Sequence, residues 1–135
     1  MDDFIPSIKV TFYIMADEFD LEEVTRRLGI NPTETRTKDS FPPQGLAHTS
    51  WSLDVEEKDC CAVAILFEEM LEVLGGKSET IKTLCDDYNL ETSFVVVIHM
   101  QGEDNPEMFL PREVISFAAS INADIGFDLY CYCDE

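Results

Sequence analysis

The chain has 135 residues, 45% of them apolar and 10% aromatic, enough to bury the core of one ordinary domain and too apolar for a disordered chain. Its 28 acidic and 9 basic residues leave a net charge of −19, which repels phosphate backbones and anionic lipid surfaces, so neither nucleic acid nor membrane is an expected partner. The same field attracts basic proteins and speeds their association.

A single domain over 1–135 is expected, since the chain shows no repeat, low-complexity run or linker. Met1-Asp2-Asp3-Phe4 supplies neither the basic nor the apolar part of a secretory signal, and no segment reaches bilayer-spanning length. The five cysteines, Cys60, Cys61, Cys85, Cys131 and Cys133, are odd in number and read as free thiols of a cytoplasmic protein.

In chain order, Ile8, Val10, Phe12 and Ile14 alternate with Lys9, Thr11 and Tyr13, the period of a strand with one core face. Asp20-Leu21-Glu22-Glu23 starts a helix with Leu21, Val24 and Leu28 on one side, Arg26 and Arg27 in its last turn, and Gly29 and Pro32 closing it. Residues 33–50 turn polar and irregular around Pro42-Pro43 and Gly45, with Thr35–Lys38 as a short strand. Trp51, Leu53 and Val55 mark a second amphipathic strand. A long helix from about Asp59 to Leu74 follows, burying Val63, Phe67, Met70 and Leu74, turning Glu68, Glu69 and Glu72 mainly outward, and ending at Gly75-Gly76.

Ser78 is read as the cap of a shorter helix carrying Ile81, Leu84, Cys85 and Tyr88. Ser93–Met100 is short, β-branched and apolar on both faces, so it belongs inside a sheet. Pro111 suits the first position of a last helix with Val114, Phe117, Ala118 and Ile121 inward. Residues 125–133 alternate as a final strand. The order β, α, β, β, α, α, β, α, β implies an α+β fold: a mixed, mainly antiparallel sheet with helices packed on one face, a ferredoxin-like core with an added helix and strand. The uncovered face would then show Lys9, Thr11, Tyr13, Ser52, Asp54, Val95, Val97, His99, Asp128, Tyr130 and Tyr132.

Leu21-Glu22-Glu23-Val24-Thr25, Leu28-Gly29-Ile30-Asn31-Pro32, Arg36-Thr37-Lys38-Asp39, Trp51-Ser52-Leu53, Phe109-Leu110-Pro111 and Asp124 through Tyr130 occur in this order over most of the chain. Together they resemble a bacterial family known as domain of unknown function 4279. Asp39 stands where that family's loop usually carries a glycine. The resemblance implies a small α+β domain and carries over no catalytic role.

No catalytic set is legible. His48 and His99 have no nucleophile motif beside them, no phosphate loop or dinucleotide fingerprint occurs, and the carboxylates are scattered. Cys60-Cys61 and Cys131-x-Cys133 lack the spacing of structural zinc ligands, so neither metal nor cofactor is expected. Arg36, Lys38, His48 and Trp51 form a candidate small-ligand loop, in which a cation near an indole would hold an anion; the competing reading makes Trp51 a core anchor and pairs Arg36 and Lys38 with carboxylates.

The expected function is therefore non-enzymatic: an acidic protein that binds a basic one, in concrete form an immunity protein neutralising a basic toxin such as a nuclease. The residues expected to meet that partner are Asp54, Glu56, Glu68, Glu69, Glu72, Asp128, Tyr130 and Tyr132, carboxylates for Lys and Arg and tyrosines as rigid anchors. The alternative is a small ligand-sensing or scaffolding module that dimerises through its sheet, with Val95, Val97 and the tyrosines in the contact; monomer and homodimer both fit the sequence.

Overall fold

The computed structural model describes residues 4–38, 48–59, 62–102 and 105–132. Its elements are β1 (Ser7–Ala16), α1 (Leu21–Leu28), β2 (Glu34–Arg36), β3 (Thr49–Lys58), α2 (Val63–Leu74), α3 (Ser78–Tyr88), β4 (Glu91–Gln101), α4 (Arg112–Ser120) and β5 (Asp124–Tyr132). The strands form one five-stranded sheet in the order β2-β3-β1-β4-β5. β1 lies antiparallel between β3 and β4, β2 is antiparallel to β3, and β5 runs parallel to β4. β1 and β2 therefore point the same way with β3 between them, the split β-α-β of a ferredoxin-like core. α3, α4 and β5 are the additions.

Period-two alternation decides which face is covered. Ile8, Val10, Phe12 and Ile14 of β1, Trp51 of β3, and Phe94, Val96 and Ile98 of β4 point to the same side and are buried. Val63, Leu66, Phe67, Met70 and Leu74 of α2 join them in a single core with Val24, Leu28, Ile81, Leu84, Val114 and Ala118 from the other helices. The helices thus share one face of the sheet. Phe94 is the hinge of this packing, its ring 5.1 Å from Phe12 within the sheet and 5.6 Å from Phe67 of α2.

Several boundaries move from their expected places for local reasons. α2 begins at Val63 rather than near Asp59, because Asp59 adopts a left-handed φ of 58° and Ala62 bridges to Glu107, whose carbonyl accepts the Val63 N–H at 2.9 Å. Ser78 is the first residue of α3 and not its cap; Lys77 holds the cap position without a side-chain bond. Pro111 caps α4 instead of opening it, and β2 covers Glu34–Arg36 rather than residues 35–38. β4 is interior as its two apolar faces require, although β1 is the middle strand.

α1 is closed at both ends. The Asp20 carboxylate accepts the N–H groups of Glu22 at 3.0 Å and Glu23 at 3.3 Å. At the other end Gly29 takes φ 69° and donates its N–H to the Thr25 carbonyl at 2.8 Å. Asp20→Ala removes the acceptor for two orphan donors, and a loss of about 1 kcal/mol in unfolding free energy is expected by urea titration.

Candidate functional site

The face of the sheet away from the helices is built by the strand register. In adjacent rows Asp54, Thr11, Val95 and Gly126 align; then Glu56, Lys9, Val97 and Asp128; then Lys58, Ser7, His99 and Tyr130. Of the residues expected to meet a partner, Asp54, Glu56, Asp128, Tyr130 and Tyr132 are therefore brought onto one surface. Asp54 is partly committed within the sheet, since Thr11 Oγ1 donates to its Oδ1 at 2.7 Å.

At the β4–β5 side of this face lies an aromatic ladder. His99 stacks on Tyr130, with centroids 4.8 Å apart and rings 10° from parallel, and on Tyr132 at 5.8 Å and 14°. His99 Nδ1 and the Tyr132 hydroxyl share a hydrogen bond of 2.7 Å. Phe4 leans on Tyr132, with centroids 5.3 Å apart and the rings tilted by 51°. The parallel register sets His99 beside Tyr130, and period two returns Tyr132 to the same face. Tyr130 donates its hydroxyl to Asp128 Oδ2 at 3.1 Å, which holds the phenol proton more firmly and raises its pKa. Flat rings beside a carboxylate are suited to a guanidinium or ammonium group, through cation–π attraction and charge together. Phe4 was not legible as part of this surface, because nothing in its flanking sequence places it over the far end of the chain.

Glu68, Glu69 and Glu72 do not join this surface. They lie on α2, which packs on the opposite side of the sheet. Glu68 and Glu72 are exposed there, but Glu69 is half-buried, with one carboxylate oxygen enclosed and unpartnered, and so is not the outward charge expected. Its pKa is raised, chiefly by a hydrogen bond shared with the Glu57 carboxyl, then by burial and by repulsion from Glu57 and Glu72. A carboxyl whose folded pKa exceeds its unfolded one contributes most below the unfolded value, and that contribution is lost as pH rises through the folded pKa. Glu69→Gln, which keeps a donor and removes the charge, should therefore raise the urea midpoint at pH 7 and leave it unchanged below the ordinary carboxylate range.

Among the described residues, the candidate ligand set does not gather around the indole. Trp51 is fully buried on the helix side, edge-on to Phe12 at 6.5 Å and donating its Nε1–H to Thr25 Oγ1 at 3.0 Å. Lys38 pairs with Asp17 at 3.1 Å and Glu18 at 2.8 Å, and Arg36 with Glu34 at 2.9 Å. The anchoring and pairing expected as the alternative is what the structure has. His48 is exposed at the rim of a hollow of about 330 Å³ with Met15, Ala16, Asp17, Asn89 and Glu91; residues 39–47 lie outside those described.

The other paired cations follow the same rule. Arg26 and Arg27 grip Glu23 at 2.6 and 2.8 Å, and Arg27 also reaches Asp87 at 3.0 Å and covers the Tyr88 ring at 5.5 Å. The hydrogen bonds from Arg26 and then Arg27 pull the Glu23 carboxyl down to about 2, so its contribution is present above the ordinary carboxylate range and fades as pH falls through that value. Cations bound to the chain's own carboxylates leave the surplus anions unopposed. Cys85 is half-buried and its thiol is pushed up to about 11, first by burial and then by Asp86, which leaves it protonated at neutral pH. Cys131 is exposed on β5; Cys60, Cys61 and Cys133 lie outside the described residues.

Fold and surface together define a small α+β domain with a ferredoxin-like core and one parallel strand added at the edge. The chain belongs to the family described as domain of unknown function (DUF4279), whose model matches residues 6–132 and so takes in every element from β1 to β5. No curated protein and no solved structure matched it. Among the described residues, no helix is long and apolar enough to cross a membrane.

Proposed function

We propose that this protein is a non-enzymatic binder of a basic protein, in concrete form an immunity protein that neutralises a basic toxin such as a nuclease by covering its cationic cleft. The observation that carries the reading is the face without helices, where Asp54, Glu56 and Asp128 lie with the His99, Tyr130 and Tyr132 ladder on one sheet surface. Rigid rings lose little entropy on contact and supply the anchors, while the carboxylates and the net charge of −19 draw the partner in. A strand framework holds both at fixed spacing, which loops would not. The test is recovery of the tagged chain from its native cells in low salt. A cationic protein that elutes as salt is raised supports the reading; recovery of the chain alone overturns it.

A further inference from the structure

The two edges of the sheet are managed differently. β2 is three residues long, with charged Glu34 and Arg36 exposed on it, the usual way of blunting an edge. β5 is nine residues long, carries no Lys, Arg or Pro, and among the described residues pairs on one side alone, with β4. Ile125 packs against the core, and from Gly126 to Tyr132 the strand is exposed on both faces among the described residues. Phe127 and Leu129 on the helix side and Tyr130 and Tyr132 on the other are between 42% and 47% exposed.

α4 leaves this flank uncovered. A right-handed β4–α4–β5 crossover that sets Val114 and Ala118 on the sheet turns Ile115 to the outer side, away from α2, and Ile115 is 52% exposed. An unpaired backbone ladder is thus bordered by apolar side chains on both faces.

We infer that this edge pairs with the same edge of a second copy of this chain, antiparallel about a two-fold axis normal to the sheet. The dimer would have one continuous ten-stranded sheet with all helices on one side.

The sequence of β5 suits this self-pairing in one register. Such an axis keeps same-face side chains opposite each other only when it lies midway between a residue and its own copy. Centred on Leu129, it sets Gly126 opposite Tyr132, Phe127 opposite Cys131 and Asp128 opposite Tyr130, with no like charges facing. Centred on Asp128 it opposes that carboxylate to its own copy, centred on Phe127 it leaves Tyr132 unpaired, and centred on Tyr130 it leaves Phe127 unpaired within β5. A bare peptide strand would satisfy the backbone but leave Ile115, Phe127 and Leu129 wet, whereas a second copy brings its own α4 across the axis. The exposed parts of the five side chains come to roughly 400 Å². That is about half of the ~800 Å² each partner gives a standard interface, with the strand backbone and its neighbours supplying the rest.

This inference does not need a basic partner, although both contacts draw on Tyr130 and Tyr132, and salt separates the two. Copies carrying −19 each repel, so the dimer tightens as salt shortens the screening length from about 10 Å at 0.1 M to about 3 Å at 1 M, while a basic partner is released. Sedimentation equilibrium of the full chain across that range should show a dimer favoured by salt. Leu129→Lys should weaken it by about thirtyfold or more. An unchanged far-ultraviolet spectrum would show the variant folded. In a Cys131→Ser background, Leu129→Cys under a mild oxidant should give a covalent dimer that Cys131→Ser alone does not. A monomer throughout, a dimer indifferent to Leu129→Lys in a folded variant, or no added cross-link from Leu129→Cys overturns the inference.

Discussion

Phe94→Ala should lower the unfolding free energy by about 3–5 kcal/mol, a large share of the 5–15 kcal/mol that holds a domain together. The ring is fully enclosed and touches Phe12 in the sheet and Phe67 in α2, so its removal opens a cavity at the joint between the two layers. Neither neighbour can collapse into the space without giving up its own packing. Urea titration of the two proteins side by side is the measurement, and a difference below about 1 kcal/mol would mean that the layers can close over the gap. The expected loss far exceeds that at Asp20, where the removed contact is exposed and water replaces it.

Glu56→Lys with Asp128→Lys should slow association with a basic partner recovered from the native cell by about tenfold to a hundredfold at low salt. The two positions flank Lys9 and Val97 in a single row of the open face, so the double change reverses the local field without touching the core. Glu68→Lys with Glu72→Lys is the control, equal in charge change but placed on the helix side. If net charge alone guides the encounter, the two doubles will slow it equally. A surface-specific contact makes the first slower than the second and shortens the lifetime of its complex. Stopped-flow mixing and dissociation measurements separate these outcomes, and in molar salt the rate difference should close because screening acts within about 3 Å.

Much of the architecture was legible because it follows from spacing. Alternation of Ile8, Val10, Phe12 and Ile14 against Lys9, Thr11 and Tyr13 sets which side of β1 faces the core whatever its neighbours are. The Asp20 cap, the Gly29 stop and the helix-period stripe from Val63 to Leu74 are local in the same sense. Where a boundary moved, a distant group had intervened, as when the Glu107 carbonyl took the Val63 N–H and left Asp59 and Ala62 outside α2.

The candidate surface was legible only in part. Asp54, Asp128, Tyr130 and Tyr132 fall on the open face by counting in twos, but an acidic helix looks equally available until it is known which side of the sheet it covers. Sequence alone therefore groups Glu68, Glu69 and Glu72 with the strand carboxylates, and the Glu57 contact that raises the Glu69 pKa joins residues twelve apart. Trp51 illustrates the reverse. Its neighbours in sequence are polar and basic, yet its strand position turns the ring towards Phe12 and Thr25.

By itself, the sequence determined the order of elements, the inward side of each strand and helix, and the surplus of negative charge, since these depend on the residue's own chemistry and its neighbours within a turn or a pleat. Tertiary structure alone decided that β5 would lie outside β4 with no strand beyond it among the described residues, that His99 would stack on two tyrosines some thirty residues away, and that the acidic groups would divide between two faces. Those outcomes depend on strand order and register, which arise from many weak long-range contacts acting together and leave no mark at any one position.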